Sequence, residues 1–163
     1  MVSWSGFRSA RPDLAAAGEE LLYQYGVGLA FLATVRVDGG PRVHPMCPLL
    51  HEGGLYALLI PSPKRSDLLR DERYSMHSFP SDDNEDAFYV AGGASLVEEP
   101  EVRASVVSKY LAERRDPSIA TADLDPQLLF EFEIETCLLT RTTGHGDPEP
   151  RHVVWHDHLA GGD

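Results

Sequence analysis

The sequence predicts a mainly β protein: a closed or nearly closed antiparallel barrel of about six strands with helices at its periphery. Three observations carry this. Three β-rich runs, residues 28–37, 41–51 and 54–60, follow one another through the short glycine-containing links Asp38-Gly39-Gly40 and Glu52-Gly53-Gly54, the signature of an antiparallel meander. Strand and helix do not alternate along the chain as a doubly wound sheet requires. The 163 residues, 42% hydrophobic and 25% charged, match one ordinary globular domain.

The first predicted element is a helix over residues 12–25. Pro12 suits its first turn, Asp13, Glu19 and Glu20 favour its N-terminal half, Leu14, Ala17, Leu21, Leu22 and Tyr25 recur at helical spacing, and Gly26 ends it. The three strands of the meander come next. Pro61-Ser62-Pro63 breaks the third, and residues 64–71 read as a short helix with Leu68 and Leu69 turned inward. Strands are predicted over 73–79 and 87–97, on either side of the acidic loop 81–86. Gly92-Gly93 in the second implies a bulge or a close backbone approach. A helix from Glu98 to about Arg115 has acids at its start and Arg114 and Arg115 at its end, as the helix dipole prefers. Residues 130–141 alternate as a strand, and 152–156 read as a last short one. Residues 1–158 thus form a single domain, with 159–163 a disordered tail.

Charge narrows the partners. Fourteen basic and twenty-six acidic residues give −12, which repels nucleic acid and anionic lipid over most of the surface. The distribution is uneven: Arg36, Arg42, Lys64, Arg65, Arg70 and Arg73 meet five acids between residues 36 and 73, so that segment is +1 and the remainder −13. No apolar run approaches the ~18 residues of a spanning helix, and no basic head with an apolar run opens the chain, so the expected address is the cytoplasm. Cys47 and Cys137 lie far apart and are expected as free thiols in a reducing compartment.

Most catalytic motifs fail. Gly26-Val-Gly28 begins like a dinucleotide fingerprint, but the third glycine is missing and the motif precedes a strand it should follow. There is no phosphate-loop lysine motif, no nucleophile elbow and no zinc-protease helix. His152, His156, Asp157 and His158 could converge on a metal, yet no acid or thiol elsewhere pairs with them, and no metal site is assigned.

Two features remain. Ser62-Pro63-Lys64-Arg65-Ser66-Asp67 leads into a helix and combines hydroxyls, adjacent cations and free backbone N–H groups, the parts of a phosphate cradle. A solvated helix start with two surface cations is the plainer account of it, and the scarcity of cations elsewhere tips the balance. The run Arg42-Val43-His44-Pro45-Met46-Cys47-Pro48 carries two prolines that cannot donate to a ladder, which marks an edge or an opening. Arg42, His44 and Met46 share one face. A flat aromatic ligand could lie against that opening while its phosphate reaches Lys64 and Arg65. For His44 alone, a satisfied barrel histidine is an equally good account.

With these residues in place, the sequence resembles the pyridoxamine 5′-phosphate oxidase-related family of flavin-binding split-barrel proteins. The similar stretches run in order: Leu32-Ala-Thr-Val-Arg36, Asp38-Gly-Gly-Pro-Arg-Val-His-Pro45, Gly54-Leu-Tyr56, Ser62-Pro-Lys64, Asp67-Leu-Leu-Arg-Asp-Glu-Arg73, and residues 92–101. Each is short, and their order and spacing carry the resemblance over residues 12–155. It implies a six-stranded antiparallel split barrel, an obligate homodimer, and one flavin in each of two clefts built from both subunits. Carried over by position, Arg42, His44, Pro45, Met46 and Cys47 would line the ring and ribityl chain, Ser62, Lys64 and Arg65 would bind the phosphate, and Trp155 would reach the ring of the partner's flavin.

The arginine-rich substrate segment of true pyridoxamine phosphate oxidases has no counterpart here, which disfavours vitamin B6 as substrate. Relatives of this size bind FMN, a deazaflavin or haem. No nucleophile or acid/base pair has readable spacing, so catalytic residues are unassigned and a cofactor must carry any chemistry. The expectation is an FMN-dependent oxidoreductase acting by hydride transfer on a small molecule. Few cations lie beyond residues 36–73 to hold the polyglutamate tail of a deazaflavin. That cofactor is therefore the alternative, kept open by a residue usage suggesting a GC-rich genome. A non-catalytic flavin- or haem-binding role is a further alternative.

Overall fold

The computed structural model describes residues 1–115 and 118–157. Its strands are β1 (Ala30–Val35), β2 (Pro41–Met46), β3 (Leu49–His51), β4 (Gly54–Leu59), β5 (Arg73–Ser78), β6 (Ala87–Leu96), β7 (Leu128–Arg141) and β8 (Arg151–His156). The helices are α1 (Trp4–Ala10), α2 (Pro12–Leu22), α3 (Pro63–Arg70) and α4 (Pro100–Arg114), with one 3₁₀ turn at Thr121–Leu124. The fold is mainly β, with peripheral helices, as the hairpin signals predict.

The strands form one antiparallel sheet in the order β2-β1-β5-β6-β7-β4-β3, with β8 also on β7. Strand β7 is long enough to serve two partners along one edge: Leu128–Glu131 pairs with β4, and Thr136–Arg141 with β8. The outermost strands, β2 and β3, are neighbours in the chain, joined only by Cys47-Pro48. The sheet must therefore curl until its two edges nearly meet, and the absence of a ladder between them leaves a split.

Three local features differ from expectation. The strand over 41–51 is two strands, because Pro48 has no N–H to continue the ladder. That division, together with β8, turns six strands into eight. A helix precedes Pro12: Ser3 caps α1 by accepting from the Gly6 N–H at 3.3 Å, and Trp4 and Phe7 are buried from one face of a single turn and a half. Leu69, expected inward, is 54% exposed, because α3 turns only Asp67 and Leu68 to the interior. The tail 159–163 and His158 lie outside the described residues.

The core collects Trp4 and Phe7 of α1, Leu14 of α2, Leu68 of α3, and Phe88 and Phe132 of the sheet. A second cluster, Leu49, Tyr56, Val106 and Leu129, seats α4 over β3, β4 and β7. Gly92 marks both features expected of it. The β6–β7 register slips between Ala91 and Gly92, and a Cβ at Gly92 would stand 2.1 Å from the Glu133 carbonyl oxygen.

Strand alternation sends the other side chains outward. The register places Pro45, Phe31, His77, Tyr89, Leu138 and Val154 in one row across β2, β1, β5, β6, β7 and β8. Phe79 stacks on Phe31 at 4.3 Å. Val43 and Val154 on this face are 60% and 53% exposed, so apolar side chains stand out to solvent beside the exposed His77.

Candidate functional site

The split between β2 and β3 opens into a cavity of about 220 Å³ lined by Pro45, Met46, Cys47, Leu58, Leu59, Ile60, Lys64, Tyr110 and Gln127. Strand β2 pairs on one side only, with β1, and Pro41 and Pro45 contribute carbonyls but no N–H to it. Its outer edge is an acceptor-rich rim. Helix α3 brings Lys64 to that rim, where its ammonium donates to the Pro45 carbonyl at 2.9 Å. Burial lowers the Lys64 pKa, with the Cys47 sulfur acting in the opposite sense.

The start of α3 is built for an acceptor. Pro63 occupies its first turn, Ser62 makes no side-chain cap, and the first intrahelical bond runs from the Ser66 N–H to the Ser62 carbonyl at 3.1 Å. The N–H groups of Lys64 and Arg65 therefore have no partner within the helix. The Ser62 hydroxyl donates to the Ile60 carbonyl at 2.9 Å and keeps acceptor capacity. Arg65 donates to the Pro126 carbonyl at 2.9 Å, beside Gln127 of the cavity wall.

Electrostatics separates these two cations from the other four of segment 36–73. Arg36 pairs with Asp38 and Arg73 with Asp71, each at 2.7 Å. Arg42 and Arg70 both pair with Asp67, at 2.6 and 3.4 Å. Lys64 and Arg65 bond neutral carbonyls instead. Asp67 is a buried carboxylate, 5% exposed. Burial pushes its pKa up, but the hydrogen bonds from Arg42 and Thr34 outweigh this and hold it below the usual carboxylate range.

The structure thus brings Pro45, Met46, Cys47 and Lys64 to one cavity, with Ser62 and Arg65 on the turn beside it. Arg42 is committed to Asp67 and does not line the cavity. His44 stands on the same face of β2, opposite Leu32 of β1. Trp155 lies on β8, its ring 5.1 Å from that of Phe7, as part of its own barrel's packing. Sequence reasoning missed Tyr110 and Gln127, and gave Asp67, though it lies in the run singled out, no role of its own. A carboxylate three residues after a helix-opening lysine was the one available signal for Asp67; Tyr110 and Gln127 come from distant elements and carry none.

Other polar clusters are self-satisfied. A hollow of about 640 Å³ at the β7–β8 hairpin is lined by Arg141, whose guanidinium is taken by Asp86 at 2.7 Å and Glu20 at 3.0 Å. His152 and His156 each bond a threonine across the strand pair, Thr140 and Thr136, and Asp157 pairs with the N-terminal ammonium. Among the described residues no three metal-ligating side chains converge. Cys47 and Cys137 are free, and burial pushes the Cys137 thiol up to about 12. No helix of the described residues is long and apolar enough to cross a membrane.

No protein-family model and no curated protein matches the chain. Solved structures do. A protein related to general stress protein 26 of Bacillus subtilis, of the pyridoxinephosphate oxidase family, from Clostridium acetobutylicum, superposes with a TM-score of 0.64 at 13% identity, over 90% of this chain and 96% of that one. A haem-binding protein from Mycobacterium smegmatis gives 0.61 at 17% identity over 86% of this chain; the match spans only 57% of that longer protein. The haem storage protein HutZ from Vibrio cholerae gives 0.59 at 18% identity, over 76% of this chain and 89% of that one. The fold is therefore the split barrel of pyridoxine phosphate oxidase-like proteins, as the sequence resemblance implies, with eight strands where six were expected. At these identities the likeness speaks for fold and leaves the ligand to the site itself.

Proposed function

We propose that the protein is an FMN-binding split-barrel oxidoreductase that works as a homodimer and transfers hydride to or from a small organic molecule. The observation that carries this reading is the pairing of Lys64 and Arg65, the two cations of segment 36–73 without a carboxylate partner among the described residues, with the open first turn of α3 at the rim of the split. Two cations and two free N–H groups suit one dianionic phosphate. Met46, Leu58, Leu59 and Tyr110 supply an apolar wall for a planar ring, and the Pro45 to Cys47 backbone supplies polar groups at its edge.

The same charge accounting favours FMN over a deazaflavin with a polyglutamate tail, because four of the six local cations already have carboxylate partners. A volume of about 220 Å³ falls short of the ~300–1,000 Å³ usual for pockets that enclose a ligand of this size, so one chain supplies part of a site. The outward apolar row from Pro45 to Val154 is the surface a second copy would cover to complete it, and stable interfaces bury roughly 800 Å² per partner. The reading places the protein in the cytoplasm, where its two thiols stay reduced.

When bound, a flavin supplies the hydride chemistry. Ser62, Lys64 and Arg65 would hold its phosphate, and β2 would offer the ring its backbone groups. His44 is the nearest imidazole on that strand for a proton. Anaerobic mixing of the FMN-loaded protein with reduced nicotinamide tests the redox reading. Bleaching of the flavin band is expected, and a bound flavin that no donor reduces would leave a binding role alone.

The two haem-related structural neighbours favour a second reading, in which His44 of β2 would hold a haem. Titration with haemin separates the two. A sharp Soret shift that His44→Ala abolishes, in a protein with no affinity for FMN, would establish the haem reading.

A further inference from the structure

We propose that Asp67 is a positioning residue for the phosphate-binding turn of α3; this rests on the flavin reading above. Helix α3 has eight residues, too few to hold its shape by helix propensity alone, and Ser62 gives its N-terminus no side-chain cap. Something else must fix where Lys64 and Arg65 stand relative to β2. Asp67 lies one turn further along α3 on its buried side, and its carboxylate joins three elements. It accepts from the Thr34 hydroxyl of β1 at 2.9 Å, from the Arg42 guanidinium of β2 at 2.6 Å, and from Arg70 of α3 itself at 3.4 Å. Arg70 in turn donates to the Val35 carbonyl at the end of β1.

Strand β2 needs such an anchor. It is an edge strand with no partner beyond β1, and its last residues form the rim of the split. The Arg42–Asp67 pair ties the start of β2 to α3, four residues from Met46, and the Lys64–Pro45 bond ties its end. Sliding α3 by an ångström breaks a buried charged hydrogen bond, which costs more than the same bond at the surface. Arg42, which the sequence marks as a ligand contact, acts here through Asp67 instead. The phosphate cradle is thereby held in place before any ligand arrives, and preorganisation of this kind favours the group being bound.

The test compares FMN with riboflavin, which lacks the phosphate. The parent is expected to bind FMN at least tenfold more tightly. Asp67→Asn keeps the side-chain size and removes the charge that holds Arg42. It should bind riboflavin within about twofold of the parent and lose about tenfold of the preference for FMN. The double variant Asp67→Asn, Arg42→Gln removes the buried carboxylate and its nearest cation together, leaving only the more exposed Arg70 on its Val35 carbonyl, and serves if the single variant does not fold, with a thermal melt as the check. It should lose the same preference. A folded variant whose FMN preference is unchanged or larger overturns the positioning role and leaves the flavin reading standing. A parent with no preference for FMN over riboflavin overturns the phosphate reading, and this proposal with it.

Discussion

The ammonium of Lys64 donates to the carbonyl of Pro45 at 2.9 Å, closing α3 onto the edge strand β2 at the mouth of the split. Both residues are there for reasons of backbone chemistry. Pro45 can sit on β2 because an edge strand tolerates a missing N–H, and its carbonyl then needs a donor from outside the ladder. Lys64 supplies one from the first turn of α3. An arriving phosphate would find an ammonium already partly desolvated, so its attraction is somewhat less screened than at an open surface.

Lys64→Ala should weaken FMN binding about tenfold or more, because a charge-assisted contact to phosphate is worth roughly 1.5 to 3 kcal/mol. Lys109→Ala is the control. Its ammonium pairs with Glu113 on α4 at 3.1 Å, away from the cradle. Fluorescence titration of both variants reads the difference, and equal affinities would place the phosphate elsewhere.

Gly28 explains the fragment of a dinucleotide motif and makes a sharper test of the split. Gly26 takes φ +83° in the turn after α2, while a Cβ at Gly28 would stand 2.0 Å from the Pro48 carbonyl oxygen. That clash is with backbone, and the backbone is the β2–β3 link. Gly28→Ala should cost about 2 kcal/mol or more in a denaturant melt and should lower FMN affinity as well. A variant as stable as the parent would mean that the link is free to move.

Asp67 sets a pH dependence of definite sign. Its folded pKa is lowered below the ordinary carboxylate value of about 4, so its stabilisation is complete above that value and is lost as pH falls through the folded pKa. The stability gap between the parent and Asp67→Asn should therefore be widest near pH 6 and shrink towards pH 3. Denaturant melts across that range measure it. Asp86, held low in the same way by Arg141 and Thr142 against the opposing effect of burial, is common to both proteins and cancels. A gap that does not change with pH contradicts the ion pair.

The outward apolar row predicts self-association. Val43→Asp places a charge on that face at a residue 60% exposed in the single chain, so the barrel should keep its fold while the dimer dissociates, with the melting temperature falling only by the stabilisation the dimer supplied. Sedimentation velocity at micromolar concentration reads this directly. A parent that sediments as a monomer, or a variant that remains a dimer, would remove this face from the interface.

Much of the fold was legible because its signals are local. The Glu52-Gly53 link has positive φ at both residues, the requirement of the tight hairpin read from the sequence, and Gly92 sits at a register slip. Helix α1 escaped because one and a half turns carry too little periodicity. Trp4 and Phe7 are helical neighbours only once the barrel gives them Phe88 to pack on, at 6.1 and 6.4 Å. The site was legible in part for the same reason. Pro45 to Cys47 and Lys64 announced themselves by chemistry that breaks local rules. Arg42 looked like a ligand contact because the carboxylate that claims it lies twenty-five positions away, and only the curl of β2 against α3 brings the two together.

The most direct test of the central claim is an equilibrium titration of the purified protein with FMN, followed by the change in flavin absorbance, with haemin and the deazaflavin titrated alongside. The account predicts saturable FMN binding at one flavin per chain, two per dimer, tighter than that of the deazaflavin. A protein whose spectrum and that of FMN simply add at every ratio, while haemin or the deazaflavin binds, would contradict it.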